Sequence, residues 1–156
     1  MNQDYSDLSS AFHAHGVKHL IVGGYAVIFH AQPRFTKDID MYIKPDPANA
    51  GAVYSALAEF GVALQGIRVE DFSDLNCFFR FGREPQAFDI MTDIPGVDFD
   101  TVWERRVEAV VDAESGLKAF IISREDLIAS KLATGRIRDL ADVEDLRKAE
   151  DSTGRP

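Results

Sequence analysis

The sequence has little of what secreted, membrane-spanning or nucleic-acid-coating proteins need. Its 156 residues include one cysteine, Cys77, so no internal disulfide can form, and the chain is expected to be cytoplasmic. No apolar run is long enough to span a bilayer, and the opening MNQDYSDLSS lacks the layout of a signal peptide. Positive charge is also scarce, because 17 Lys and Arg residues oppose 26 Asp and Glu residues and leave a net charge of −9. Such a surface repels a long polyanion, which argues against a general DNA- or RNA-coating role.

What the sequence does contain indicates a single globular domain. Hydrophobic residues make up 46% of the chain, which is enough for a core and too many for a disordered protein. Strand and helix patterns are mixed and include at least one antiparallel pair. The predicted fold class is therefore α/β (α+β), a small mixed sheet with flanking helices. Residues 1–150 are assigned to this domain and 151–156 to a frayed tail.

Hydrophobic spacing and glycine or proline breaks predict the individual elements. Strands are predicted at 17–22, 38–43, 76–82 and 86–92, with a last hairpin within 109–123. Helices are predicted at 6–15, 25–31, 44–61, 98–108, 123–135 and 138–149. Residues 62–75 are interpreted as a short strand and a turn. Cys77 is expected in a buried strand, and Trp103 in the core.

Two aspartates mark the first candidate site. Asp38 and Asp40 are at alternate positions of one predicted strand, so their side chains leave the same face. Two carboxylates this close raise one pKa unless a cation lies between them. Magnesium suits such a pair, because it binds carboxylate oxygens together with phosphate oxygens of a substrate. The alternative is a strand that simply carries two aspartates on a solvated face.

Asp89 adds a third carboxylate, flanked by Phe88 and Ile90 in another predicted strand. A carboxylate amid apolar residues is costly unless it is paired or binds a ligand. If the two strands are neighbours, three carboxylates can hold two metal ions, which activate an attacking oxygen and stabilise a leaving pyrophosphate. The alternative for Asp89 is an edge strand that faces water.

Gly23 and Gly24 lie between a predicted strand and a short helix. The backbone N–H groups of such a turn, and the partial positive charge of the helix N-terminus, attract anions. The pair could therefore hold a triphosphate beside the metal ions, although a plain tight turn is the alternative. The succession of diglycine, short helix, loop with Arg34 and Thr36, and DxD strand is more specific than any of its parts.

These residues carry a family resemblance. The run G23-G24-Y-A-V…H30…R34-F-T36-K-D38-I-D40 resembles the active-site signature of the polymerase β-type nucleotidyltransferase superfamily. Within it, the chain is most similar to a small bacterial branch related to AbiEii-type toxin nucleotidyltransferases. The similarity extends to FDIMTDIPGVDFDTVWERR and IISREDLIASKLATGRIRDLADVEDL, and so covers roughly residues 17–147.

The resemblance implies a catalytic, metal-binding triad and a set of nucleotide-binding residues. The triad consists of Asp38, Asp40 and Asp89, which would hold two Mg²⁺ ions. The nucleotide-binding set consists of Gly23, Gly24, Arg34, Thr36 and Lys131. Many superfamily members have Gly-Ser where this chain has Gly-Gly, so a serine hydroxyl contact to phosphate is absent.

Other charged residues have plain interpretations. Lys131 can be read as a solvated helix residue. Two interpretations, an ion-pair network at the helix ends and direct substrate contact, carry equal weight for Arg136, Arg138, Asp139 and Asp142. Surface positions are expected for His13, His15 and His19 rather than a metal site, and His30 is expected either to hydrogen-bond the loop or to be half-buried.

The predicted function is metal-dependent transfer of a nucleoside monophosphate from an NTP, such as ATP, to an acceptor hydroxyl, with release of pyrophosphate. The acceptor is left open among a tRNA end, a protein hydroxyl and a small molecule such as an aminoglycoside. The acidic surface favours the latter two. The alternative is a non-catalytic nucleotide- or protein-binding module of a toxin–antitoxin or regulatory pair, which would have a partner protein. A third possibility is a metal-dependent phosphohydrolase.

Overall fold

A mixed six-stranded sheet lies at the centre of the molecule. The computed structural model describes residues 3–33, 35–36, 38–82 and 87–153. The strands are β1 (His19–Val22), β2 (Ile39–Ile43), β3 (Phe78–Phe81), β4 (Phe88–Met91), β5 (Val107–Asp112) and β6 (Leu117–Ile121). Their order in the sheet is β3-β4-β2-β1-β6-β5. β2 pairs parallel with β4 and β1 parallel with β6, whereas the other three pairings are antiparallel. The predicted fold class is confirmed.

Six helices flank this sheet in the described ranges. They are α1 (Gln3–Ala14), α2 (Gly23–His30), α3 (Pro47–Phe60), α4 (Phe99–Glu104), α5 (Arg124–Thr134) and α6 (Ile137–Thr153). α1 packs on α3, and α2 packs against both α5 and α6. None of the helices described is long and apolar enough to cross a membrane.

Local sequence signals fix the ends of two of these helices. Asp46 begins α3 by accepting a hydrogen bond from the backbone N–H of Asn49, with Pro47 in the first turn, and Gly61 ends it in a left-handed conformation. Ser123 begins α5 by accepting from the N–H of Asp126, and Gly135 ends it in the same way. These signals explain why both helices lie where the sequence predicts them.

Besides α1 and α2, which begin at Gln3 and Gly23, earlier than predicted, three predicted elements differ from the structure. Residues 62–75 contain a short 3₁₀ helix, Val69–Phe72, and no strand among these described residues. The Asp71 carboxylate accepts from the Arg68 N–H and so closes this turn, while Phe72 is fully buried. The helix predicted at 98–108 ends at Glu104, because the chain from Val107 onward pairs with β6. α6 extends to Thr153, beyond its predicted end.

Individual side chains also depart from expectation. His19 is fully buried in β1, so its predicted surface position is wrong, because the central strand β1 is covered along its whole length. Cys77 precedes β3 and is half-buried, not a buried strand residue. Trp103 is half-buried and packs against the core beside Phe99 and Phe120.

Candidate active site

The two aspartate-bearing strands are direct neighbours. Asp40 of β2 lies opposite Asp89 of β4 in the parallel register. β4 lies between β2 and β3, so Asp89 is not on an edge strand, and its residue exposure is only 4%. The alternative of a water-facing edge position for Asp89 is therefore wrong. The sheet brings together the carboxylates that the sequence singled out.

An arginine bridges these carboxylates. Arg80 of β3 lies opposite Asp89 in the antiparallel register. Its Nε donates to Asp89 Oδ1 at 2.9 Å, and its Nη2 donates to Asp89 Oδ2 at 3.0 Å. The same Nη2 also donates to Asp38 Oδ2 at 3.0 Å. One guanidinium thus links the residue before β2 with the middle of β4.

The three carboxylates create a strongly negative, partly dehydrated region. Burial, a hydrogen bond with Asp89 and the charges of Asp89 and Asp38 raise the pKa of Asp40 to about 7, and the Arg80 charge opposes this rise. Asp38 contributes a buried oxygen, Oδ1, which has no hydrogen-bond partner in the described part of the chain. A buried oxygen of this kind is costly unless something binds it.

Gly23 packs directly against this acidic region. Its φ is +69°, a left-handed conformation that side chains disfavour. A Cβ on Gly23 would lie 3.0 Å from Cγ of Asp40 and closer still to Oδ2. Glycine is therefore required both by the backbone conformation and by the approach of the Asp40 carboxylate.

The N-terminus of α2 opens beside these carboxylates. α2 begins at Gly23, and Val22, the residue that precedes it, provides no side-chain cap. The first backbone N–H groups of the helix are thus left without the side-chain partner that usually satisfies them. At the other end, His30 Nε2 hydrogen-bonds the carbonyl oxygen of Ile122 at 2.7 Å, which ties α2 to the end of β6. His30 is half-buried, as one of its two interpretations expects, and this hydrogen bond goes to Ile122 rather than to the loop that follows α2.

A single cavity of about 570 Å³ unites most of the predicted site residues. Its lining includes seven of the eight: Gly23, Gly24, Thr36, Asp38, Asp40, Asp89 and Lys131. The eighth, Arg34, lies outside the described residues. Thr36 makes only a long hydrogen bond, 3.5 Å from Oγ1 to the Asp38 carbonyl oxygen. The opposite wall comes from α5 and α6.

Lys131 lies in that helical wall in an unexpected setting. It is 9% exposed, so the interpretation as a solvated helix residue is wrong. Its Nζ lies 2.8 Å from Asp142 Oδ2 and 3.5 Å from Asp139 Oδ1, because α6 folds back onto α5. Arg136 donates to Asp139 at 2.7 Å. Burial alone would raise the pKa of Asp139, but the Arg136 hydrogen bond and the Lys131 charge lower it overall.

Arg80 is the site residue that sequence reasoning missed. Its position carries a signal, since it is the one charged residue within the apolar run NCFFRFG. If the run is taken as a buried strand, such a charge requires a partner next to it, although the structure places β3 at the edge of the sheet with Arg80 48% exposed. The predicted hairpin with the Asp89 strand offered that partner, but the register that pairs the two residues could not be read from the sequence.

Comparison with known families identifies the chain. A family model described as "Nucleotidyltransferase of unknown function (DUF6036)" matches residues 3–149. The chain belongs to this nucleotidyltransferase family. The enzyme class predicted from the sequence is thereby confirmed at the level of nucleotidyl transfer. The match does not extend to the AbiEii-type branch, which stays a prediction. No curated protein matches the chain.

Solved structures share the fold of this DUF6036 nucleotidyltransferase. The lincosamide antibiotic adenylyltransferase LnuA, with lincomycin bound, has 17% identity and a TM-score of 0.58, with 96% of this chain and 98% of that chain covered. ANT(2'')-Ia in complex with adenylyl-2''-tobramycin has 16% identity and a TM-score of 0.55, with 96% and 87% covered. The Thermotoga maritima protein TM1012, a nucleotidyltransferase by name, has 18% identity and a TM-score of 0.58, with 95% and 91% covered. At these low sequence identities, the similarity to the three proteins shows a shared fold and nothing more.

No preformed metal cluster is found in the described ranges of this nucleotidyltransferase: no group of three or more His, Cys, Asp or Glu side chains is arranged to hold an ion. Asp38 and Asp89 instead contact the Arg80 guanidinium, and Asp40 is linked to it through its hydrogen bond with Asp89. The carboxylates that could bind a cation are therefore already paired with the positive charge of a side chain.

Proposed function

We propose that this chain transfers a nucleoside monophosphate from an NTP to an acceptor hydroxyl. The acceptor oxygen would attack the α-phosphorus, the bond from that phosphorus to the bridging oxygen would break, and pyrophosphate would leave. The hydroxyl proton would pass to solvent or to a carboxylate of the site. The observation that carries this proposal is the convergence of Asp38, Asp40 and Asp89 beside the Gly23–Gly24 bend in one cavity.

The donor set fits magnesium. All three side chains offer hard carboxylate oxygens, and Asp38 Oδ1 is buried without a hydrogen-bond partner in the described chain. The guanidinium that lies between Asp38 and Asp89 indicates that these oxygens favour positive charge. Asp38, Asp40 and Asp89 would therefore hold the metal. When bound, magnesium would neutralise charge on the triphosphate and make the acceptor hydroxyl more acidic.

The backbone and the helical wall would orient the triphosphate. The uncapped N–H groups at Gly23 and Gly24 would donate to phosphate oxygens, assisted by the partial positive charge of the α2 N-terminus. Lys131 faces the same cavity but is held by Asp139 and Asp142. We therefore propose that Lys131 reaches phosphate only if it gives up one of these partners.

Two phenylalanines support a nucleotide as one substrate. Phe35 and Phe78 line the cavity and are 79% and 59% exposed, which is high for large apolar side chains. Flat aromatic faces of this kind suit stacking with a nucleobase. ATP is the donor to test first, because LnuA and ANT(2'')-Ia, which share the fold, are linked by name to adenylyl transfer.

The acceptor is proposed to be a small polyhydroxylated molecule. The proteins of similar fold were solved with lincomycin and with adenylyl-2''-tobramycin. The net charge of −9 also disfavours a long RNA and favours a neutral or cationic acceptor. A role in the AbiEii-type branch, with a toxin–antitoxin partner, stays a prediction from sequence resemblance.

The experiment is a transfer assay with each α-labelled NTP, MgCl₂ and a panel containing lincosamides, aminoglycosides, tRNA and protein. The expected result is labelled small-molecule product together with released pyrophosphate. Asp89→Asn should lower the rate by about a thousandfold or more, since one lost electrostatic contact in a transition state costs several kcal/mol.

Asp145→Asn is the matched control, because it makes the same chemical change on an exposed part of α6. It should leave the transfer rate unchanged. Full activity of Asp89→Asn, or activity that persists with a metal chelator, would contradict the proposed mechanism. Release of phosphate from NTP alone would instead indicate a phosphohydrolase.

A further inference from the structure

Arg80 makes charge-assisted hydrogen bonds to two of the three aspartates in the cavity. Its guanidinium donates to both oxygens of Asp89 and to Asp38, with all three distances between 2.9 and 3.0 Å. Bidentate pairing of arginine with a carboxylate is among the strongest charge-assisted hydrogen-bonding arrangements in proteins. The contacts therefore hold two of the three carboxylates in fixed positions relative to each other.

The strand that carries Arg80 is anchored by its alternate side chains. Phe79 packs against the buried Phe72 with ring centroids 4.7 Å apart, and Phe81 lies 5.5 Å from Phe88. Side chains alternate along a strand, so an anchored Phe79 and Phe81 direct Arg80 to the cavity face. The placement of the guanidinium is thus a consequence of the β3–β4 register.

The mutual repulsion of the three carboxylates explains why a positively charged side chain lies among them. Asp38, Asp40 and Asp89 repel one another at close range, and a single positive charge offsets part of that repulsion. A divalent cation that used these oxygens would supply the same compensation with twice the charge. A guanidinium and a divalent cation on the same carboxylates would repel each other strongly, because both lie in a partly dehydrated site.

We propose that Arg80 is a built-in cation that holds the carboxylates in place and is displaced from Asp38 and Asp89 when a divalent metal ion binds. The displaced guanidinium then binds phosphate oxygens of the nucleotide that arrives with the metal. This inference rests on the proposed function, since it assigns the same carboxylates to the metal.

The side chain has the room that displacement requires. Arg80 is 48% exposed although its partner Asp89 is 5% exposed, so the guanidinium can leave without opening the core. Its neighbour on the same strand face, Phe78, is also exposed and does not cover it. Arginine pairs with phosphate in the same bidentate manner as with carboxylate, so one anionic partner can replace the other.

The test is the affinity of the folded protein for Mn²⁺, measured by the loss of the free-ion electron paramagnetic resonance signal. Arg80→Gln removes the charge and keeps a polar side chain. If Arg80 competes with the metal, this variant binds Mn²⁺ at least about tenfold more tightly than the wild type, because a repelling charge at contact distance is gone. Its affinity for a non-hydrolysable ATP analogue with Mn²⁺ gains less than its affinity for Mn²⁺ alone, because the phosphate contact is lost.

Arg105→Gln is the matched control. Arg105 also pairs with a buried aspartate, Asp126, at 3.1 Å, and it is 59% exposed, but neither residue lines the cavity. This variant should bind Mn²⁺ as the wild type does. If Arg80 instead orients the carboxylates for the metal, Arg80→Gln would bind Mn²⁺ about 10–100-fold more weakly, and the proposal would be overturned. Equal affinity would overturn it as well.

A second readout covers the case in which Arg80→Gln folds poorly. Arg80→Lys keeps the charge but loses the bidentate geometry, so it should bind Mn²⁺ with an affinity between those of the wild type and the glutamine variant. Thermal unfolding should show a larger stabilisation by Mn²⁺ for both variants than for the wild type. Equal Mn²⁺ stabilisation of the wild type and Arg80→Lys would contradict displacement.

Failure of this inference is distinguishable from failure of the proposed function. A wild type that binds no Mn²⁺, with or without the ATP analogue, would remove the metal site and both proposals together. A wild type that binds Mn²⁺ and transfers nucleotide, with variants that bind no more tightly, would remove only the displacement of Arg80.

Discussion

Asp40 and Asp89 face each other across two parallel strands in the middle of the sheet. This pairing makes two carboxylates direct cross-strand neighbours, and like charges in such positions are destabilising. Burial and the Asp89 carboxylate raise the pKa of Asp40 to about 7 as a result. The fold therefore carries a repulsive pair at its centre, compensated in part by Arg80, and such a pair is typical of a functional site.

Replacing Asp40 should stabilise the protein at alkaline pH while abolishing transfer. Because its folded-state pKa is raised above the unfolded value of 3.8, the protonated form stabilises the fold at low pH. That contribution is lost as pH rises towards 7, at up to about 1.4 kcal/mol per pH unit. Asp40→Asn removes this loss. Urea unfolding with a chelator should show a small advantage of the variant over the wild type at pH 5 and a larger advantage at pH 8.

Asp145→Asn serves as the control for this measurement, since Asp145 is exposed on α6. It should follow the wild type at both pH values. A constant difference between Asp40→Asn and the wild type from pH 5 to pH 8 would mean that Asp40 is not held protonated in the folded state.

Gly23→Ala should be more harmful than the same change at another left-handed glycine. Gly16 has a φ of +66° with nothing within 4 Å of the position that an added methyl group would take, whereas the methyl at Gly23 would meet the Asp40 carboxylate. Gly16→Ala should lose about 1–2 kcal/mol for its backbone conformation alone. Gly23→Ala should lose about 1–3 kcal/mol more from the overlap. Chemical denaturation of both variants measures the difference, and equal losses would contradict the close approach.

The pairing of the acidic strands could be predicted from the sequence because local signals agree. Asp38 precedes an apolar run that Asp40 interrupts, Asp89 interrupts another, and both runs have the length and alternation of strands. Gly23 and Gly24 likewise stand between a strand and a helix. These five residues belong to short, strongly patterned segments, and all five line the same cavity.

The partners of these residues could not be predicted, because they depend on register and on helix packing. The run R-E-P between β3 and β4 has no two-residue turn signature, so the pairing of Arg80 with Asp89 was not determined. Lys131 is buried only because α6 folds back on α5 and presents Asp139 and Asp142. Nothing in the local pattern of α5 distinguishes such a lysine from a solvated one.

His19 should make the protein sensitive to acid. It is fully buried, and burial together with the neighbouring His13 lowers its pKa to about 4, against a hydrogen bond to the Val17 carbonyl. Because the folded-state pKa lies below the unfolded value of 6.5, the stability present above pH 6.5 is lost as pH falls towards 4. The loss is about 1.4 kcal/mol per pH unit.

His19→Phe keeps an aromatic ring beside Phe12, which lies 4.9 Å away in the wild type, and removes the titrating group. Its stability should fall less steeply between pH 6.5 and pH 4.5 than that of the wild type, as measured by urea unfolding. His15→Gln, at the surface beside Glu59, is the control and should keep the wild-type slope. Parallel slopes for the wild type and His19→Phe would show that His19 does not cause the sensitivity.

Lys131→Met should destabilise the protein far more than removal of an exposed lysine from the same pair of helices. Lys131 is the cation between two buried carboxylates, Asp139 and Asp142, whose side chains are 4% and 6% exposed. Removing one partner of a buried ion pair costs about 3–5 kcal/mol, because charge is left in a poorly solvated place. Lys148→Met, which breaks an exposed pair with Glu144, should change stability by less than about 0.5 kcal/mol.

Lys131→Arg, compared with Lys131→Met, separates a structural role of Lys131 from a role in phosphate binding. Lys131→Arg keeps the charge that the two aspartates require, so the protein should stay folded, but the different head group should impair contact with a triphosphate. A raised KM for NTP in Lys131→Arg at wild-type stability would support phosphate binding in addition to the ion pairs. Unchanged KM with lowered stability in Lys131→Met would assign this lysine to holding α6 against α5 alone.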